Sequence, residues 1–324
     1  MPDLNCSEPI EVPNIHTLYE GLTDTQYILL IVAGGVVTAV LILGILHFFY
    51  IWKYINDEKI RSKLYILALM FPLMVSLAIT SMFSPRTGPI FSSLGVLYLL
   101  FCLYTITSLC RFIYGSRERL ASVLSEEKAI LSFQVPPCCC CMPCLPKAAP
   151  SERNLKIVEC LTLQGPIVRA FIVILNCHFI AERREEADKL LLITELSGIL
   201  SLLFTIFGSH TMAKLTGVSI CAAVQMPNNV PLRRYLVGTI HRSISINFDL
   251  IFVKFGVITC GPILSAVENA KYIYNFVLIC ECFFCSLLAS KLLVPEKSAL
   301  FDKCPHRQLQ VMDTREKMLP AGEL

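Results

Sequence analysis

Three ionisable residues lie inside long apolar stretches of the sequence: Arg169, Lys254 and Glu281. A charged side chain that faces lipid is costly, so each is expected to face a protein interior or a water-filled cavity. A guanidinium suits contact with two oxygens of one oxyanion. Arg169 and Lys254 are therefore predicted to bind an anionic group such as a sulfate or carboxylate, with Glu281 as counter-ion in the empty state. The alternative is an ion-pair cluster that only fixes helix packing.

A second set of reactive side chains is a run of thiols among prolines in a polar stretch. Its members are Cys138, Cys139, Cys140, Cys141 and Cys144. Reversible acylation beside the membrane is the interpretation that we favour. Zinc needs four ligands, usually two spaced pairs, and only Cys141 and Cys144 have a suitable spacing. A loop stiffened by proline, with unmodified thiols, is the third interpretation.

Four further residues are weaker candidates for lining a solute path: Glu195, Asn176, Asp249 and Pro262. Pro262 lies in a predicted span and is expected to kink it. Packing or interfacial roles are the alternative for the three polar residues.

Other classes of site are not indicated by the sequence. No nucleophile stands at a catalytic spacing from a base, and no glycine-rich phosphate loop occurs, so we expect neither an enzyme nor coupling to ATP. His178 and His210 have no pairing that indicates a metal, and we expect no cofactor. The formal net charge of +3 indicates no nucleic-acid partner. Asn5-Cys6-Ser7 is a glycosylation sequon at Asn5.

The elements that position these residues are predicted to be membrane-spanning helices. Hydrophobic residues make up 55% of the 324-residue chain and charged residues 16%, which leaves too little charge for a soluble domain. Stretches long enough to cross roughly 30 Å of hydrocarbon should be helices, because lipid satisfies no backbone group. Seven are predicted, at 26–51, 64–83, 89–114, 161–182, 190–212, 246–267 and 272–293. A shorter apolar run, 215–226, extends the fifth helix or lies in the interface.

Basic residues predict the orientation of this all-α bundle. Lys and Arg are absent before the first span and abundant in the first, third and fifth connections and the tail. This bias predicts an extracellular segment 1–25, a transmembrane domain 26–293, a cytosolic cysteine-rich connection 115–160 and a cytosolic tail 294–324. The connection opens with an amphipathic pattern that predicts a helix along the inner leaflet. Its apolar face is formed by Leu120, Val123, Leu124, Ile130 and Leu131.

A small-residue surface in the first span offers close approach to another helix. It is formed by Ala33, Gly34, Gly35 and Ala39. The partner would be a single-span subunit or a second copy in a homo-oligomer, and packing within the chain is the alternative.

The run Pro-Pro-Cys-Cys-Cys-Cys-Met-Pro-Cys at 136–144, between the third and fourth spans, resembles that of the organic solute transporter alpha subunit. Gln164-Gly165-Pro166, Gly261-Pro262-Ile263-Leu264-Ser265 and Leu278-Ile279-Cys280-Glu281 agree with it. The longer fifth connection, 213–245, departs from the vertebrate pattern and predicts a divergent invertebrate member.

The resemblance implies a facilitative transporter of amphipathic organic anions, such as steroid conjugates or bile acids. It also implies that the protein functions together with a single-span beta subunit. The expected location is the plasma membrane or an intracellular membrane. Two alternatives stay open: a membrane-organising or trafficking subunit without flux of its own, and a seven-helix receptor. The receptor is disfavoured because the third span ends Cys110-Arg111-Phe112, without an acidic residue before the arginine.

Overall fold

The structure is a computed structural model that describes residues 13–113, 115–126, 131–132, 147–182, 187–223 and 263–292. Helices dominate these residues, and the strands among them are two segments of two residues each. Helices satisfy their own backbone hydrogen bonds, as a segment inside lipid must. The predicted all-α fold is confirmed for the described part of the chain.

The first predicted span is helix α2, Asp24–Tyr54, which follows a short helix α1, Ile15–Gly21. Thr23 caps α2. Its hydroxyl accepts from the backbone N–H of Gln26, and the Gln26 side chain accepts from the backbone N–H of Thr23. This capping box satisfies N–H groups that a helix start leaves without intrahelical partners.

The second span consists of α3, Glu58–Ala68, and α4, Met70–Phe83, with an interruption at Leu69. Pro72 explains the break, because it lacks an N–H and its ring crowds the carbonyl four residues earlier. The same proline packs closely on α2. A Cβ added at Gly44 would lie 2.5 Å from Pro72 Cγ, so the first two spans cross tightly at this glycine.

The remaining helices follow in chain order. They are a 3-10 turn Pro85–Thr87, α5 Gly88–Ile113, α6 Arg117–Glu126, α7 Glu152–Glu182, α8 Ala187–Ala223 and α9 Ala266–Leu292. Within the described residues, five helical segments are long and apolar enough to cross a membrane: α2, α3 with α4, the turn with α5, α7, and α9. The apolar portion of α8 is the shorter segment Leu196–Met212. The helix continues to Ala223, so the described part of 215–226 extends the fifth helix.

The predicted boundary between the sixth and seventh spans needs correction. Residues 263–265 are not helical, and α9 begins at Ala266 rather than at 272. Ser265 caps the start of α9, since its hydroxyl accepts from the backbone N–H of Glu268 at 3.3 Å. The predicted sixth span, 246–267, therefore extended too far, and most of it lies outside the described residues. Seven spans stay a prediction.

The helices pack in a row, with α9 on α2 and α4, α4 on α5, α5 on α7, and α7 on α8. The largest apolar core lies among α2, α4, α5 and α9, around Ala33, Val40, Val75 and Ile279. Helices α2 and α9 run parallel, because Gln26 contacts Asn269 at one end and His47 contacts Ser290 near the other. We call the end where α2, α5, α8 and α9 finish the basic end.

Helix α6 packs on protein at the basic end. Leu120 and Leu124 are fully buried against Leu155 and Val158 of α7 and Met212 of α8. The expectation of an apolar face on the lipid surface is therefore wrong for these two leucines. These two leucines hold α6 against α7 and α8.

A short strand pair follows in the same connection. Strand β1, Leu131–Ser132, pairs antiparallel with β2, Lys147–Ala148, so that Leu131 stands opposite Ala148. Leu131 is therefore not part of the predicted amphipathic helix, because its backbone bonds to β2 instead. The pairing brings together the two ends of the segment that contains the cysteine run, and β1 packs near α8.

Candidate functional site

Hydrogen bonds between polar groups join α7 to α8. Gln164 Nε2 donates to the backbone oxygen of Ser201 at 2.9 Å and to Thr205 Oγ1 at 3.2 Å. Ser201 Oγ donates to Gln164 Oε1 at 3.0 Å. Farther from the basic end, Thr194 Oγ1 donates to Asn176 Oδ1 at 2.8 Å. We call these five residues the polar seam; hydrogen bonds of this kind help to join helices in lipid.

Two glycines let α7 and α8 approach closely along the seam. A Cβ added at Gly165 of α7 would collide with the Thr205 side chain. A Cβ added at Gly198 of α8 would lie 3.0 Å from Ile172 Cδ1 and 3.1 Å from Arg169 Nη1. Small residues at such contacts are typical of helix pairs in membranes. The glycines therefore set the spacing that the seam requires.

Arg169 lies between the two parts of the seam, near the middle of α7. Its side chain is buried, with 7% of the residue exposed, and Nη2 donates to the buried Ser93 Oγ of α5 at 3.1 Å. A permanent positive charge is thus placed where α5, α7 and α8 meet. In a low-dielectric site, such a charge attracts an anion much more strongly than it would in water.

The other predicted binding residues are placed differently. Glu281 is exposed on α9, a helix that packs on α2 and α4. Glu195 belongs to α8, but its side chain is outside the described part. Lys254, Asp249 and Pro262 also lie outside the described residues. Of the predicted set, the structure brings Arg169 and Asn176 to the same helix pair, and the binding roles of all stay predictions.

Sequence reasoning missed Ser93, Thr194, Ser201 and Thr205, and it named Gln164 only as part of a motif. A usable signal was present in α8, where Ser201, Thr205 and Ser209 follow one another at intervals of four residues. Residues four apart share one face of a helix. A polar face within an apolar span indicates contact with another helix or with water.

A second polar group joins α9 to α2 and α4. Asn275 Nδ2 donates to Ser81 Oγ at 3.1 Å, and Gln26 Nε2 donates to Asn269 Oδ1 at 3.1 Å. The Tyr272 hydroxyl donates to the Gln26 backbone oxygen at 2.9 Å. These groups are neutral and bond to one another, so they fix helix register and offer no charge to a solute.

An ion cluster that the sequence did not predict lies at the basic end. Glu159 of α7 is buried, and its Oε2 accepts from Arg111 Nη1 of α5 at 3.0 Å and from Arg117 Nη2 of α6 at 2.7 Å. The hydrogen bond to Glu159 raises the pKa of the Arg117 guanidinium. Arg117 therefore stays charged at any physiological pH, and one carboxylate links three helices.

The remaining predicted sites fall outside the described residues. These are the lipidation candidates Cys138, Cys139, Cys140, Cys141 and Cys144 and the glycosylation candidate Asn5. In the ranges that the structure covers, cysteines such as Cys160 and Cys177 are free and exposed. The same ranges contain no group of three or more His, Cys, Asp or Glu side chains that could hold a metal ion.

Comparison with known proteins identifies the family. The family model described as organic solute transporter Ostalpha matches residues 29–297. The chain is 37% identical to organic solute transporter alpha-like protein 3 of Caenorhabditis elegans over 300 residues, which cover 92% of this chain and 85% of that protein. It is 30% identical to alpha-like protein 2 of the same organism over 309 residues, covering 93% and 88%. No solved structure matches the chain.

The family match agrees with the long apolar helices, which make this a multi-pass membrane protein. It also confirms the resemblance carried by the cysteine run and the three shorter motifs. A match over residues 29–297 includes every described helix from α2 to α9 except the first five residues of α2. The chain belongs to the organic solute transporter Ostalpha family.

Proposed function

We propose that the chain is the solute-conducting subunit of an ATP-independent transporter for amphipathic organic anions, such as steroid conjugates or bile-acid-like solutes. The observation that carries this proposal is the buried Arg169 in the middle of α7, at the junction with α5 and α8. The plasma membrane is the expected location. Transport is proposed to run down the solute gradient or by exchange, since the sequence indicates no coupling to ATP.

The surroundings of Arg169 suit a solute that is part apolar and part anionic. The Ser93 hydroxyl accepts from the guanidinium, and Gln164 and Ser201 form hydrogen bonds with each other on the same pair of helices. The apolar Ile172 lies on the same side of α7, near Gly198. Because Gly198 has no side chain, α8 can approach the Nη1 side of Arg169 closely at that position. The sulfate or carboxylate is proposed to bind the Arg169 guanidinium at the junction of α5, α7 and α8, with the solute's ring system against the apolar residues.

Lys254 and Glu281 are added to the proposed binding site on the basis of the sequence alone. Lys254 supplies a second cation for the anionic group. Glu281, which is exposed on α9, a helix that packs on α2 and α4, keeps its sequence-based role as the proposed counter-ion in the empty state. Glu195, Asn176, Asp249 and Pro262 are proposed to line the route to this site.

A single-span beta subunit is the proposed partner, and α2 offers a surface for it. Gly34 and Gly35 have no atom within 4 Å of an added Cβ, so they face away from the described bundle. The exposed side chains around them are large and apolar, including Ile31 and Ile42. A helix can approach closely where side chains are small. A second copy of this chain could use the same surface.

The cysteine run is proposed to carry acyl chains. Pairing of β1 with β2 holds the ends of segment 133–146 side by side near α8. Acyl chains on Cys138, Cys139, Cys140, Cys141 and Cys144 would then add a membrane anchor next to the helix pair that contains the polar seam.

Uptake of a radiolabelled steroid sulfate by cells that express Arg169 variants tests the proposal. Arg169→Gln removes the charge and should reduce uptake at least tenfold at equal surface expression, because a buried anion loses its charged partner. Arg169→Lys keeps the charge but loses the two-point contact and should retain partial uptake. Arg153→Gln is the matched control, since Arg153 is exposed in the first turn of the same helix.

Full uptake by a well-expressed Arg169→Gln protein would assign Arg169 to packing alone. Loss of expression in Arg169→Gln, with normal expression and uptake in Arg169→Lys, would support a need for the charge in folding and count against a binding role.

A further inference from the structure

Four cations converge at the basic end of α3, α5 and α6. Lys59 Nζ and Lys63 Nζ lie 5.6 Å and 6.0 Å from the centroid of the Phe112 ring. Lys63 also donates to Ser108 Oγ at 2.8 Å, and Ser108 precedes Arg111 by three residues in α5. Arg111 in turn shares Glu159 with Arg117. We call Lys59, Lys63, Arg111 and Arg117 the Phe112 cation cluster.

Positive charge in this cluster exceeds the negative charge bound to it. Both arginines bond to the same oxygen, Glu159 Oε2. In the described ranges, Lys59 and Lys63 form no salt bridge. The Asp57 carboxylate accepts from the backbone N–H groups of Lys59 and Ile60, so it serves as the cap of α3. Glu58 is exposed. Like charges held this close repel one another unless an anion lies among them.

The depth of the cluster indicates what kind of anion would reach it. At the basic end of α2, Phe49 and Trp52 are exposed, and Lys53 Nζ lies 5.8 Å from the Phe49 ring centroid. Exposed aromatic residues next to basic ones are typical of the headgroup level of a membrane. The cluster stands at the adjoining ends of α3 and α5, so it lies at this level. Arg111 and Arg117 each keep about a third of their side-chain surface exposed, 31% and 32%.

We propose that the Phe112 cation cluster binds the phosphorylated headgroup of an anionic phospholipid. The distribution of basic residues assigns this end to the cytosol, and the cytosolic leaflet is the one that carries anionic lipids. Lysine ammonium groups bind phosphate as mobile point charges, while the arginines keep α5, α6 and α7 joined through Glu159. The site is separate from Arg169 and does not depend on the identity of the transported solute.

The test is binding of a fluorescent phosphatidylinositol bisphosphate to the purified full-length protein in phosphatidylcholine nanodiscs, followed by anisotropy. The double variant Lys59→Gln/Lys63→Gln removes two cations and leaves both arginines on Glu159. Its affinity should fall roughly thirtyfold, at about fivefold for each lysine near the surface. Lys59→Arg/Lys63→Arg keeps the charges and should bind within threefold of the wild type.

Lys291→Gln is the matched control, because Lys291 is an exposed lysine in the last turn of α9 at the same end of the bundle. Unchanged affinity in this control with a large loss in the Lys59→Gln/Lys63→Gln protein supports the site. Equal affinity in the wild type and that double variant overturns it, and so does an equal loss in Lys291→Gln. Soluble inositol trisphosphate should compete with the fluorescent lipid less strongly than unlabelled lipid does. Equal competition would overturn the lipid site and indicate a site for a soluble phosphorylated ligand.

Discussion

At the residue scale, the structure gives two buried charges quite different surroundings. Glu159 accepts from two arginines on neighbouring helices, so its charge is compensated within the protein. Arg169 donates to the neutral hydroxyl of Ser93, at the junction of three helices. The first arrangement is structural and sits at the basic end. The second places a cation in the middle of the bundle, where we propose that it binds an anionic solute.

Glu159→Gln should destabilise the protein without changing the affinity for solute. The substitution removes the negative charge that two arginines share, and their partial exposure moderates the cost to about 1–3 kcal/mol. Thermal unfolding in detergent should show a lower midpoint than in the wild type, whereas Glu118→Gln, at an exposed position of α6, should leave it unchanged. An unfolding midpoint for Glu159→Gln equal to that of the wild type would show that the cluster contributes no net stability.

At the scale of elements, the close contact of α7 with α8 depends on glycine, and the exposed face of α2 contains glycine for another reason. Gly165 has no space for a side chain beside Thr205, whereas Gly35 has open space around it. Among the described residues, the same residue type therefore marks close packing in α7 and an uncovered surface in α2.

The same substitution at both positions should separate these roles. Gly165→Leu is expected to force α7 from α8 and to cost at least 2 kcal/mol through overpacking. Gly35→Leu should leave the unfolding midpoint unchanged or slightly higher, since leucine favours helix more than glycine does, while it lowers co-purification with a single-span partner. A stable Gly165→Leu protein would contradict the described helix contact, and normal co-purification of Gly35→Leu would exclude Gly35 from the partner surface.

Many of the helices were predictable from the sequence, and the predictions that were wrong have physical causes. Apolar length predicted α2, α5 and α7 because lipid requires helices of that size. The pattern around Leu120 and Leu124 predicted an amphipathic helix, but periodicity cannot tell a lipid surface from the groove between α7 and α8. Leu131 was assigned to that helix because local pattern does not reveal pairing with Ala148, seventeen positions along the chain. The polar seam was missed because each serine or threonine alone is unremarkable in a span.

At the scale of the whole molecule, the directions of α8 and α9 bear on the number of spans. Met212 of α8 packs with Leu155 at the basic end, whereas α9 begins at the opposite end, where Asn269 contacts Gln26. Residues 224–265 therefore connect opposite ends of the bundle. The positions of these two helix ends support the proposed sixth span, and the cytosolic C-terminus stays a prediction from the basic residues.

The glycosylation sequon offers a check of this orientation. If the N-terminus is extracellular, Asn5 is exposed to the glycosylation machinery, and both Asn5→Gln and Ser7→Ala should remove the same endoglycosidase-sensitive shift in gel mobility. A tag at the C-terminus should be protected from protease in intact cells. Digestion of that tag in intact cells would reverse the proposed orientation and would place the Phe112 cation cluster outside.

The central claim is ATP-independent transport of amphipathic anions by this chain. Its most direct test is flux of a radiolabelled steroid sulfate into proteoliposomes without ATP, with the chain alone, with a single-span beta subunit, and with the Arg169→Gln variant plus that subunit. The account predicts saturable flux down the gradient with the partner present, preference for the sulfate over the uncharged parent steroid, and loss of flux in the variant. Absence of flux in every condition, from protein that is folded and correctly oriented, would contradict it.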